Sequence, residues 1–173
     1  MLILLVGPKG SGKSHVGRIL ERELGVHFFH VEPLWMRYRE ACLEAQREAT
    51  VVEGIAAVHP QLRAAVRDHV HVCVETTGAS PDILTDLMSL APRAETLIVR
   101  MTSPLSVCLE RIARRDPTHQ IPVDPATCRE IHELSTALDL DADLVLDNLD
   151  LPNERIVTAI SPLLAGTRPG ASG

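Results

Sequence analysis

The most constraining feature of the sequence is an apolar run near its start, Leu2–Val6, that leads directly into a loop rich in glycine. The run reads LILLV and has no polar residue at alternate positions. A strand with one buried face alternates apolar and polar residues, whereas a strand covered on both faces does not. The run therefore predicts a strand in the middle of a sheet that is covered on both sides.

The loop that follows, GPKGSGKS at residues 7–14, matches the phosphate-binding pattern GxxxxGK[ST], the P-loop. Its glycines let successive backbone N–H groups point at phosphate oxygens, and the first turn of a following helix adds unpaired N–H groups. Lys13 is predicted to reach the β- and γ-phosphates, and Ser14 to bind Mg²⁺. The alternative, a purely structural glycine turn, is disfavoured because a buried strand precedes the loop and an amphipathic helix follows it. The predicted nucleotide-binding residues here are Gly7, Pro8, Lys9, Gly10, Ser11, Gly12, Lys13, Ser14 and His15.

Short apolar runs alternate with helical patterns along the rest of the chain. The runs after the first are residues 26–29, 70–74, 96–101 and 144–146. The helical patterns are residues 13–24, 33–48, 60–68, 80–90, 104–115, 125–138 and 152–164. This alternation predicts parallel strands joined by right-handed crossovers, and hence a three-layer α/β sandwich. We expect a single domain over residues 1–165 and a disordered tail over 166–173.

Composition excludes several classes of function. The net charge of −6 disfavours general binding to nucleic acid or to an anionic membrane. The first apolar run is too short for a secretory signal, and no run approaches the roughly 18 apolar residues that span a bilayer. The four cysteines form no CxxC pair, so we expect reduced thiols and a cytoplasmic protein.

Over nearly its whole length the sequence resembles the small P-loop kinases, the group of shikimate kinase and the nucleoside monophosphate kinases. The stretches that carry the resemblance are GPKGSGKS, LGVHFFHVE, ERIARR and ADLVLDN. The resemblance implies the three-layer αβα P-loop NTPase fold with a five-stranded parallel sheet of order 2-3-1-4-5. It also implies substrate-binding helices at about residues 33–69 and a short lid in the region of about 111–125.

In kinases of this type, arginines on the helix before the lid close over ATP. By resemblance, Arg111 would stack on the adenine and Arg115 would neutralise charge on the transferring phosphoryl group. Three guanidinium groups within five residues repel one another unless anions or carboxylates compensate them, which agrees with this role. A solvated helix end is the alternative, above all for Arg114. The resemblance also places Asn148 beside the base, and an ordinary turn after a strand is the alternative there.

Phosphoryl transfer also requires carboxylates, and two stand at predicted strand ends. Glu75 matches the carboxylate that holds Mg²⁺ through water in adenylate kinases, so Ser14 and Glu75 are the predicted metal residues. Glu32 matches the second acid of the Asp-x-Asp motif of shikimate kinases, and we expect it to orient the nucleophile. His30 replaces the first acid, and both a packing role and a role as a base are open for it.

The predicted catalytic set is therefore Lys13, Arg115, Glu75 and Glu32, with ATP and Mg²⁺ as cofactors. The acceptor is expected to be a small metabolite, shikimate-like or nucleoside-like. It is not identified further, because Thr76-Thr77-Gly78 replaces the glycine triplet of shikimate kinases and no arginine has the spacing of their shikimate-binding residue. Gly78 is expected to let the backbone approach a ligand. The oligomeric state is not predicted.

Two other functions compete with the kinase. A nucleotide-binding regulatory or partner-binding protein without phosphotransferase activity is the first, because the acceptor motifs are altered. An AAA-type mechanochemical ATPase is the second. It is disfavoured, because such a protein needs a larger module and a second acid after the third run, where HVCVETTG supplies one.

Overall fold

Strands and helices alternate through the computed structural model, which describes residues 1–115, 121 and 123–166. The strands are β1 (Leu2–Val6), β2 (His27–Phe29), β3 (Val72–Thr76), β4 (Thr96–Thr102) and β5 (Leu144–Asp147). The helices are α1 (Lys13–Leu24), α2 (Val31–Glu44), α3 (Val51–Asp68), α4 (Pro81–Met88), α5 (Leu105–Ala113), α6 (Pro125–Ala137) and α7 (Asn153–Ala165). A short 3-10 turn, Arg93–Glu95, precedes β4.

The five strands form one parallel sheet in the order β2-β3-β1-β4-β5, which confirms the predicted order. β1 is the central strand, with β3 on one side and β4 on the other. In this register the end of β1 lies beside the end of β3, where Leu5 pairs with Glu75 and Val6 with Thr76. The P-loop and the carboxylate of Glu75 therefore emerge at the same edge of the sheet.

Alternate residues of β1 face two separate apolar cores, which explains the unbroken apolar run. Ile3 and Leu5 pack into a core on one face, together with residues of α1 and α7. Leu2, Leu4 and Val6 pack into a core on the other face, together with residues of α3 and α4. All five side chains are 0–1% exposed. Burial of an aliphatic side chain contributes roughly 1.5–3 kcal/mol, so both faces hold the strand in the middle of the molecule.

Helix α3 begins earlier than the predicted range of 60–68, and that prediction was wrong at its N-terminal end. The helix begins after Thr50, whose hydroxyl accepts a hydrogen bond from the Glu53 N–H. Pro60 therefore lies inside the helix and does not open it. Pro60 removes one backbone donor, whose usual acceptor is the carbonyl of Ala56. Both residues are exposed, so water can bind that carbonyl.

Two predicted segments lie outside the described residues. The prediction of a lid over about 111–125 falls in part on residues 116–120 and 122, which are not described, and the predicted tail falls mostly on 167–173. The four cysteines are free thiols and all are buried. Within the described ranges, none of the helices has the length and apolar content needed to cross a bilayer.

Candidate active site

The loop between β1 and α1 curls tightly because two of its glycines adopt positive φ. Gly10 has φ 85° and Gly12 has φ 92°, values that side chains disfavour. A Cβ on Gly12 would lie 1.9 Å from the Asn148 amide nitrogen, and a Cβ on Gly10 would lie 2.5 Å from the Cys108 carbonyl oxygen. Glycine is therefore required at both positions by conformation and by space.

The curled loop has the features of an anion site. The Ser11 hydroxyl is buried and has no hydrogen-bond partner within the described part of the chain. The first turn of α1 carries no acidic residue, so the positive end of the helix dipole is not compensated by the helix itself. Unpaired buried polar groups are costly, and a phosphate oxygen would satisfy the Ser11 hydroxyl. These features fit a nucleotide polyphosphate at this loop.

Lys13 is the buried cation of the site, with 7% of the residue exposed. Its ammonium group donates to the carbonyl oxygens of Gly7 at 2.7 Å and Pro8 at 2.9 Å. Burial lowers the pKa of Lys13 to about 8. Glu75 acts to raise this pKa, whereas Lys9 and Arg115 act to lower it. A cation in this state is stabilised by an incoming anion.

Ser14 and Glu75, the two predicted metal residues, lie in direct contact. The Ser14 hydroxyl oxygen is 2.9 Å from each carboxylate oxygen of Glu75. Hydroxyl and carboxylate oxygens are ligands that Mg²⁺ accepts, and Mg²⁺ takes its remaining ligands from phosphates and water. Among the described residues there is no cluster of three or more His, Cys, Asp or Glu side chains suited to a metal. The pair therefore fits a metal that arrives with the phosphates.

Lys9 links three segments of the chain at the mouth of the loop. Its ammonium group donates to the Glu32 carboxylate at 3.2 Å and to the Ile121 carbonyl at 3.0 Å. Glu32 also accepts a hydrogen bond from the Ile121 N–H at 3.3 Å. Glu32 lies in the first turn of α2, one residue after the helix begins. The structure thus places the second predicted carboxylate beside the P-loop and in contact with residue 121.

A central cavity of about 140 Å³ brings the predicted catalytic residues together. It is lined by Lys13, Ser14, Glu32, Glu75 and Arg115, among others. An outer cavity of about 440 Å³ adjoins it and shares Gly12 and Arg115 with it. The two cavities therefore adjoin each other along the P-loop.

The outer cavity contains the residues predicted to lie near the base. Arg111 donates to the carbonyls of Asn148 at 2.8 Å and Leu149 at 3.1 Å, which holds its guanidinium on the cavity wall. The Asn148 amide in turn donates to the Ser11 carbonyl at 2.8 Å. His15 also lines this cavity, with its Nε2 3.1 Å from Asn153 Oδ1. Arg111, Asn148 and His15 are therefore brought together beside the P-loop.

A third cavity, which we call the apolar cavity, was not predicted from the sequence. It measures about 260 Å³, and ten of its fifteen described lining residues are Val, Leu or Ile. It shares Lys9, Glu75 and Thr77 with the central cavity, so the two adjoin each other. Ile55, Val58 and Leu62 give it one wall from α3. Their spacing of three and four residues was the available signal, but Pro60 concealed the helix that carries them.

Three other residues singled out in the sequence have a local structural role. His30 packs against the ring of Phe28, with centroids 4.1 Å apart, which favours the packing role. Gly78 has φ 71°, and a Cβ there would meet side chains of Val6 and Leu138 at 2.8 and 2.9 Å, so conformation and packing both require glycine; its approach to a ligand stays a prediction. Arg114 forms an exposed ion pair with Glu110 one turn away, although it also borders the outer cavity.

Comparisons with known proteins agree with this geometry. Residues 2–137 match the model of a family described as AAA domain, and no curated protein sequence matches. A shikimate kinase from Aquifex aeolicus is 24% identical, with a TM-score of 0.65 over 96% of this chain and 97% of that one. A gluconokinase from Sinorhizobium meliloti is 22% identical, with a TM-score of 0.60 over 94% and 90%. A tunicamycin resistance protein from Deinococcus radiodurans is 20% identical, with a TM-score of 0.66 over 96% of each chain. At these identities the likeness shows a common fold.

Proposed function

The chain belongs to the AAA domain family of P-loop proteins, and from the P-loop and the cavities beside it we propose that it is a Mg²⁺-dependent kinase. It would transfer the γ-phosphoryl group of ATP to a hydroxyl group of a small molecule. The observation that carries the proposal is the arrangement of three cavities that share lining residues. The P-loop borders an outer cavity of about 440 Å³ on one side, and the central cavity beside it adjoins the apolar cavity, which an acceptor can fill. The shared fold with a shikimate kinase and a gluconokinase supports it.

The transfer step assigns roles to Glu32, Lys13 and Arg115, which line the central cavity. The acceptor oxygen attacks the γ-phosphorus, and the bond from that phosphorus to the oxygen bridging the β-phosphate breaks, so that ADP leaves with the bonding electron pair. Glu32 takes the proton of the acceptor hydroxyl. Lys13 and Arg115 stabilise the charge that develops on the phosphoryl oxygens. The P-loop backbone, Arg111 and Asn148 hold the nucleotide in line for the attack.

Magnesium would be held at the contact between Ser14 and Glu75. When bound there, it would neutralise charge on the β- and γ-phosphates. The support for this site is the 2.9 Å approach of the Ser14 hydroxyl to both Glu75 oxygens.

The test combines product detection with one substitution. Purified protein is incubated with Mg-ATP and a panel of hydroxylated compounds, and phosphorylated products are detected by mass spectrometry. Lys13→Ala should reduce transfer by roughly 10²–10³-fold, because it removes one charge that stabilises the transition state. Arg22→Ala is the matched control, because Arg22 is an exposed cation on the same helix and should leave transfer unchanged. Nucleotide binding without transfer to any compound would contradict the kinase and favour a regulatory protein.

The description AAA domain does not by itself assign a mechanical activity to the chain. One acid, Glu75, stands near the end of β3, and the residues that follow it are Thr76 and Thr77. This arrangement lacks the second acid that a mechanochemical ATPase would place there. ATP consumption that depends on an added small acceptor distinguishes a kinase from such an ATPase.

The proposal also includes the setting in which the enzyme works. We place it in the cytoplasm, supported by four buried free thiols. Its partners would be ATP and the acceptor, without nucleic acid or membrane, in line with a net charge of −6.

A further inference from the structure

The chemistry of the apolar cavity restricts what the acceptor can be. Ten of its fifteen described lining residues are aliphatic, and they come from α2, α3, α4 and α6, from β3 and from residues 121 and 123. Its volume of about 260 Å³ lies just below the range of roughly 300–1,000 Å³ that is usual for small-molecule sites. The apolar cavity therefore favours a compact molecule with apolar surface, because moving that surface out of water lowers the free energy.

Among the described residues, the ammonium and carboxylate groups of the apolar cavity lie where it joins the central cavity. They are Lys9 and Glu75, and both also line the central cavity. Away from the central cavity, the described wall also contains His59, whose buried Nε2 has no hydrogen-bond partner among the described residues and can bond to a neutral hydroxyl group. Lys9 is already paired with Glu32 at 3.2 Å. No arginine is among the described residues that line the apolar cavity. A carboxylate on the acceptor would therefore be buried without a cation of its own, which is costly.

Nearby arginines are engaged elsewhere. Arg63 lines a neighbouring cavity that shares His59 with the apolar cavity, and it donates to the His59 ring at 3.3 Å. Arg47 forms an exposed ion pair with Glu53. The basic side chains among the described lining residues are therefore Lys9, which is paired with Glu32, and His59, and no described arginine offers a carboxylate the two parallel hydrogen bonds of a guanidinium.

Hydroxyl groups lie at the junction of the two cavities. Thr76 and Thr77 line both of them. Their hydroxyl oxygens accept hydrogen bonds from the N–H groups of Gly78 and Ala79, at 3.2 and 3.3 Å. The hydroxyl protons can then be donated to an acceptor oxygen at the entrance to the phosphate site. The polar end of the acceptor is thus directed to the junction, and its apolar part to the far wall.

We propose that the acceptor is an uncharged alcohol with a compact aliphatic body, and not a polyhydroxy acid or a nucleotide. The inference rests on the proposed kinase function for the transfer itself. It goes further by assigning the aliphatic body to the apolar cavity and the reacting hydroxyl to the junction beside Thr76, Thr77 and Glu75.

The test uses a homologous series of probes. n-Butanol, n-hexanol and n-octanol are tested as phosphoryl acceptors with Mg-ATP. Their binding to the complex of the protein with ADP is measured separately by calorimetry. Affinity should rise about fourfold for each added methylene until the cavity is filled, which is the gain for burying one CH₂ group. Polyhydroxy acids and nucleosides of similar volume should neither bind to the ADP complex nor be phosphorylated.

A pair of substitutions on α3 locates the bound alcohol. Ile55 is half-buried on the cavity wall, and Ala57 is exposed two residues away. Ile55→Asn should weaken n-hexanol binding roughly tenfold or more, because an amide replaces the apolar wall. Ala57→Asn should leave it unchanged, and both variants should bind ADP as the natural chain does.

The outcomes separate this inference from the function on which it rests. If polyhydroxy acids or nucleosides are phosphorylated and alkanols are not, the proposal of an uncharged alcohol acceptor is wrong and the proposed kinase function is supported. Alkanol binding that increases with length and is weakened by Ile55→Asn, with no transfer to any compound, overturns the kinase and supports the assignment of the cavity. Binding that is equal in both variants overturns the assignment of the cavity.

Discussion

At the level of single residues, Lys13 stands out as an ammonium group held in a buried position by two carbonyl oxygens. Its pKa of about 8 lies well below the ordinary 10.5, chiefly because burial disfavours the charged form. Near pH 8 about half of the free molecules therefore carry a neutral amine at this position. A bound polyphosphate stabilises the ammonium and raises the pKa again.

Nucleotide binding should therefore be linked to proton uptake. Near pH 8 the uptake should approach about half a proton per site, and it should vanish as the pH falls towards 6. Calorimetric titrations with ADP in two buffers of different ionisation enthalpy measure this number. The uptake should be absent in Lys13→Met. Equal uptake in this variant and in the natural chain would show that another group takes the proton.

A comparison of Gly12 and Gly25 separates the effect of backbone strain from the effect of a collision inside the site. Both flank α1 and both have positive φ, 92° and 65°. A Cβ on Gly12 would collide with the Asn148 amide, whereas a Cβ on Gly25 has no atom within 4 Å. Strain at a positive φ costs on the order of 1 kcal/mol in either case.

Gly12→Ala should therefore reduce nucleotide affinity more than tenfold, because it displaces Asn148 and reshapes the loop. Gly25→Ala should lower the free energy of unfolding by about 1 kcal/mol and leave the affinity unchanged. Equilibrium denaturation and ADP titration on both variants measure the two effects. Similar losses of affinity in the two variants would mean that helix strain, and not the contact with Asn148, governs binding.

At the level of elements, the edge strand β5 is held at both ends by side chains. Before the strand, the Asp143 carboxylate accepts from the Ile98 N–H at 2.7 Å and from Arg93 at 2.8 Å. Burial acts to raise the pKa of Asp143, but these donors outweigh it and hold the pKa below the ordinary 3.8. After the strand, Asn148 bonds to the Thr102 carbonyl and to the P-loop. The strand thus positions the wall of the outer cavity.

Asp143→Ala should lower the free energy of unfolding by about 1–3 kcal/mol, since it leaves the Ile98 N–H without its acceptor and Arg93 without its carboxylate. Urea denaturation measures the change. Asp141→Ala is the control, because Asp141 is fully exposed and lies 3.8 Å from the same arginine. If both variants lose the same stability, general charge loss and not the contact with β4 is responsible.

At the level of the whole molecule, the sequence predicted what depends on local patterns and on family resemblance. The unbroken apolar run of β1 indicated a strand with two buried faces, and the P-loop pattern located Lys13, Ser14 and the edge of the sheet. The strand order came from the resemblance. The predicted strand order placed Glu75 beside the P-loop, and the register of β1 and β3 confirms that position.

The features that the sequence did not predict depend on contacts between distant segments. Pro60 indicates a helix start by its local preference, but packing of Val58 and Leu62 in the core extends α3 back to Val51. The apolar cavity combines residues from four helices, a strand and the segment after α5, and no single stretch contains its pattern. The packing at Gly78 could not be predicted for the same reason, because the side chains that surround it, Val6 and Leu138, are distant in the sequence.

The Lys9 ammonium has one further consequence. It contacts both Glu32 and Ile121 from the loop that we propose binds the phosphates. A γ-phosphate that drew Lys9 towards itself would have to weaken that hold. Nucleotide binding would then loosen the contacts of Lys9 with Glu32 and Ile121 beside the acceptor site. The Lys9 ammonium would thereby set the order in which the nucleotide and the acceptor bind.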